Sequence, residues 1–80
     1  MVSPNTLVAF YEEIERDNLA AIRDLQKEMG EMNRIREDFS EDWEIQELTR
    51  VIIFEEARII EQLTEEIRNA RQAKKRLGKV

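Results

Sequence analysis

The sequence predicts an all-α fold of two long antiparallel helices, a helical hairpin, on three observations. The 80 residues include only two glycines and one proline, so few positions can break a helix. Apolar residues recur three and four apart along most of the chain, the spacing of one helical face. A single short acidic stretch near the middle interrupts that pattern.

The first helix is expected over about residues 4–37. Pro4 stands where proline is tolerated, in the first turn, with Ser3 before it as N-cap. Leu7, Tyr11, Ile14, Ile22, Leu25, Met29 and Met32 then mark one face, with Asn18 in the gap between Ile14 and Ile22. Gly30 falls inside the pattern and costs on the order of 1 kcal/mol relative to alanine without ending the helix. The turn is expected at about 38–40, within Glu37-Asp38-Phe39-Ser40-Glu41-Asp42. Ser40 is the expected N-cap of a second helix over about 41–77, with Glu41 and Asp42 favoured beside its N-terminal dipole. Ile45, Leu48, Ile52, Ile59, Ile60, Leu63, Ile67, Ala70 and Leu77 form its apolar face. Gly78 is expected as a capping glycine after a last turn carrying Lys74, Lys75 and Arg76. A turn centred on Phe39-Ser40 sets Leu25 level with Phe54, Ile22 with Ala57 and Met29 with Arg50. The 80 residues form one such domain.

A two-helix hairpin has one seam and buries little surface, and chains this small usually need a metal, disulfides or a partner. There is no cysteine, so disulfides are excluded. The apolar stripe of the second helix is wider than one seam uses, which argues for a further neighbour. The expected assembly is a homo-oligomer, most simply a dimer closed as a four-helix bundle. Charge favours an antiparallel dimer. Residues 31–47 hold seven acidic and two basic side chains, whereas residues 67–80 hold six basic and no acidic ones. Antiparallel pairing sets each acidic turn beside the other chain's basic end, which selects orientation more than it adds stability. Leu19, Ile52, Ile53, Phe54 and Ile60 are the expected interface residues, with Phe10 a further off-seam candidate. Phe39 and Trp43 are expected to close the end of the bundle.

Composition removes several functions. Without histidine and cysteine the commonest general base, thiolate nucleophile and transition-metal ligands are missing. The longest unbroken apolar run, Val51 to Phe54, is far too short to span a membrane. Met1-Val2-Ser3-Pro4 has neither a basic nor an apolar leader segment, so a cytoplasmic protein without a secretory signal is expected. No catalytic residue and no cofactor are expected. Ser3 and Ser40 read as caps, and no base stands beside Thr6, Thr49 or Thr64.

Three features carry functional readings. Glu56 falls in the centre of the second helix's apolar face, and Asn18 holds the corresponding position on the first. Together they are expected as a polar layer that sets register, as a buried asparagine does in coiled coils. The six basic residues Arg68, Arg71, Lys74, Lys75, Arg76 and Lys79 suit phosphate contact, so a small regulatory nucleic-acid-binding bundle is the second reading. The third is a carboxylate metal site around Glu55 and Glu56. Ferritin-like bundles combine such glutamates with Glu-x-x-His. Here Glu55-Glu56-Ala57-Arg58 lacks the histidine, which leaves only an all-oxygen site. The leading expectation is a self-associating scaffold or adaptor without chemistry of its own, presenting a helical surface to a protein partner.

Overall fold

The computed structural model describes residues 3–78, which form two helices, α1 (Pro4–Asp38) and α2 (Trp43–Gly78), and no strand. Each helix begins at a side chain that satisfies its free amides. Ser3 Oγ accepts from the Thr6 amide at 3.2 Å, and Pro4 stands just inside the cap. Asp42, rather than Ser40, caps α2: its Oδ1 accepts from the amides of Glu44 (3.1 Å) and Ile45 (3.2 Å). Asp42 precedes Trp43, the first helical residue, and so lies where a cap can reach the second and third amides. The second helix therefore starts two residues later than expected, and Ser40 lies in the turn. Gly78 does not act as a left-handed cap. It is helical, and no glycine among the described residues has a positive φ.

The turn is held by a side chain that sequence reasoning passed over. Gln46 Nε2 donates to the carbonyls of Arg36 (2.8 Å) and Phe39 (3.0 Å), two acceptors that the end of α1 leaves without helical partners. Its Oε1 accepts from Arg36 Nε at 3.3 Å. The Phe39 amide closes onto the Ile35 carbonyl at 3.0 Å, and the Asp42 amide onto the Phe39 carbonyl at 3.1 Å. With the turn at 39–42, the register moves along α2. Arg36 meets Gln46, Asn18 meets Leu63, and Glu28 faces Glu56. The expected levels of Leu25 with Phe54 and Met29 with Arg50 are replaced by partners several residues further on.

The hairpin is a rod of 59 × 18 × 14 Å. Its radius of gyration is 18.0 Å, against about 12 Å for a compact domain of this length. The seam is centred on Thr49, Glu56, Ile67 and Ala70, the only buried positions among the described residues. Leu48 and Ile59, expected on the seam, are 62% and 44% exposed. The stripe on α2 is wider than one facing helix can cover, so its flanks open to solvent. No described helix is long and apolar enough to cross a membrane.

Two predictions follow from this geometry. A Cβ added at Gly30 meets nothing within 4 Å, and the backbone there is helical. Gly30→Ala is expected to stabilise the fold by about 1 kcal/mol, read as a higher midpoint in urea unfolding. Gln46→Ala removes the amide that serves two carbonyls and is expected to lower stability by roughly 1–2 kcal/mol in the same assay.

Candidate functional site

Glu56 lies where α1 and α2 meet, 6% exposed, with neither carboxylate oxygen hydrogen-bonded. Its helical position leaves it no choice: it shares a face with Thr49, Leu63, Ile67 and Ala70, at steps of three, four and seven residues. Removal from water raises its pKa above the ordinary glutamate value. Glu28, across the seam, raises it further, as acceptor for the protonated form and as a like charge. Glu55, one residue earlier, is exposed, so the two neighbouring glutamates face different surroundings. No group of three or more acidic side chains among the described residues is arranged to hold a metal ion.

Asn18 holds a separate polar point on the seam. Its Nδ2 donates to Glu66 Oε2 at 2.7 Å and to the Leu63 carbonyl at 3.2 Å. Glu66 lies about 15 Å along α2 from Glu56. Within one chain Asn18 and Glu56 therefore stand in different layers, and each ties or burdens its own part of the seam. The single layer is expected from a two-fold axis that gathers both residues from two chains; within one hairpin the longer turn widens their separation from about a turn and a half to nearly three turns.

The basic segment is partly engaged by acids. Glu15, with its side chain 16% exposed, pairs with Lys74 Nζ at 2.9 Å and Arg71 Nε at 3.7 Å. These ion pairs cross from α1 to α2. Arg68 pairs with Glu65 one turn earlier at 2.8 Å. Lys75 and Arg76 are exposed, and Lys79 lies outside the described residues.

The five interface candidates do not share a surface. Helical spacing sets Ile53 and Ile60 beside Leu19 on one flank of the seam, the flank where Glu15 meets Arg71 and Arg36 meets Gln46. Ile52 belongs to the other flank. Phe54, 61% exposed, points away from α1 on the back of α2. Phe39 and Trp43 do not close the end of the single hairpin, being 51% and 74% exposed. Trp43 is the first residue of α2 and lies on the same outer side as Phe54.

The geometry thus brings together two tied polar contacts, one strained carboxylate and long uncovered apolar flanks. The chain matches no protein-family model, no curated protein and no solved structure.

The carboxylate has a measurable signature. Because the folded-state pKa of Glu56 lies above its unfolded value, folding takes up a proton in the window just above pH 4.5. The penalty is absent below that window and grows as the pH rises through the folded pKa. Glu56→Gln is expected to be more stable than the parent at neutral pH, with the difference vanishing near pH 4. Parallel urea titrations of both proteins check this, since every other carboxylate is common to the two.

Proposed function

We propose that this chain is a non-enzymatic helical adaptor that self-associates as an antiparallel dimer and offers its remaining helical surface to a protein partner. One observation carries the reading. The hairpin exposes 6508 Å². A compact monomer of 9.6 kDa is expected to expose about 5,100 Å². The excess of roughly 1,400 Å² is well above the roughly 800 Å² that each partner gives to a standard stable interface.

The flank of Leu19, Ile22, Ile53, Ala57 and Ile60 is the face best suited to a second copy. Its middle carries no charge, so two copies bring apolar side chains together without stranding ions. At its ends lie the acidic turn and the segment holding Arg68, Arg71 and Lys75. Antiparallel stacking sets these opposite charges end to end, and a four-helix bundle results.

Light scattering across a range of concentrations tests the reading. The expected molar mass is about twice the chain's 9.6 kDa. Leu19→Glu with Ile60→Glu is expected to return it to that of the single chain, because it buries carboxylates in the interface. A single-chain mass for the parent protein at high micromolar concentration rejects self-association.

A further inference from the structure

The other flank of the hairpin is chemically different. On α1, Glu28, Glu31 and Ile35 follow at helical spacing, and Phe39 caps the helix one turn beyond Ile35. On α2, Leu48, Val51, Glu55 and Ile59 repeat the same steps. The register that sets Glu28 opposite Glu56 lays Ile35 beside Leu48, so the two rows run side by side. Phe39, Leu48, Val51 and Ile59 are all at least 40% exposed. They form an apolar strip about 16 Å long between two ridges. Its borders are acidic. Asp17, Asp24, Glu28, Glu31, Glu55 and Glu66 lie along this flank and all are exposed, and they outnumber the basic Arg58, which lines a surface hollow with Glu55 and Ile59 at its outer edge.

A second copy of the chain fits this flank poorly. Stacking it on itself sets carboxylates against carboxylates on both helices, whichever way the copies run, and like charges brought together oppose binding. A basic occupant removes that repulsion. We infer that this flank is the docking surface for a basic amphipathic helix of a partner protein. The helix lays an apolar stripe on Phe39, Leu48, Val51 and Ile59 while its lysines or arginines reach the carboxylates on either side. The inference rests on the adaptor reading and names the chemistry of its partner. A helix suits the surface because two parallel ridges leave a groove that accepts the side-chain rows of a third helix running nearly parallel to them. About three turns of it cover the strip.

The test uses a defined probe: a labelled synthetic peptide of about 18 leucines and lysines, with the leucines spaced three and four apart so that they form one helical face. Fluorescence anisotropy with the full chain is expected to show micromolar binding that weakens as salt rises. A shuffled peptide of the same composition is expected to bind at least about tenfold more weakly, since it keeps the charge and loses the stripe. Leu48→Gln with Ile59→Gln, and separately Glu31→Lys with Glu55→Lys, are expected to weaken binding at least about tenfold. All four side chains are exposed, so circular dichroism should show the helical content unchanged. The monomeric Leu19→Glu, Ile60→Glu variant is expected to keep the peptide affinity, which separates this surface from the dimer face. Equal binding of the shuffled peptide overturns the proposal in favour of charge alone. So does unchanged affinity in both face variants. Dissociation of the dimer by Leu48→Gln with Ile59→Gln also overturns it and assigns the flank to a second copy. A monomeric parent protein that still binds the peptide through this flank rejects the dimer and leaves the docking surface standing.

Discussion

Two helices share one line of contact, and most of this molecule follows from that constraint. Each helix turns its apolar stripe toward the other, yet neither can surround the other. The interior is therefore one side chain deep, with Ile67 and Ala70 its only buried apolar residues among those described. Most other apolar side chains of the two stripes are half-covered or exposed along the flanks, and Trp43 and Phe54 lie exposed on the back of α2. Such a thin seam tolerates sliding, because an aliphatic side chain moved one turn meets another much like it. Directional contacts choose the register instead. Gln46 holds the turn, Asn18 grips the Leu63 carbonyl and Glu66, and Glu15 pairs with Lys74 and Arg71. Gln46 fastens the hairpin at its turn, and Asn18 and Glu15, one helical turn apart on α1, fasten it in the half away from the turn.

Glu56 is the exception to this economy. It lies in the seam without a hydrogen-bond partner and faces another carboxylate. An apolar or neutral side chain of similar size would remove the cost of taking a charge out of water. Its presence weakens the hairpin near its middle, where the proposed second copy would add contacts that a single chain lacks. In the proposed reading, folding and association support each other, as they do for chains too small to build a sufficient core alone.

The two flanks of the seam divide the proposed work. One has an uncharged aliphatic middle and oppositely charged ends, which is what a symmetric partner requires. The other is apolar with a mainly acidic border, which opposes a symmetric partner and favours a basic one. The difference arises from placement: residues three and four positions apart share a flank, and one step along the helix moves a side chain to the other. Ile52 and Ile53 show this directly, since neighbours in sequence lie on opposite sides of the seam.

The helices and the hairpin were legible because they depend on local properties: spacing of apolar residues, scarcity of breakers, and capping side chains near each end. Glu56 was legible as an anomaly for the same reason, since a charge in an apolar period shows in the sequence alone. Its pairing with Glu28 was not, nor was the full distance between Asn18 and Glu56. Those depend on register, and register depends on a turn only four residues long, where choosing Asp42 over Ser40 as the cap shifts every cross-helix pair. Gln46 left no distinctive signal, because a glutamine in the first turn of a helix is ordinary until a carbonyl from another helix lies within its reach. Sequence alone thus determined which residues become helical and which face each helix turns inward. Only the tertiary structure decided which residues meet across the seam and which apolar side chains stay uncovered, because those outcomes depend on how two rigid rods are joined and slid against each other.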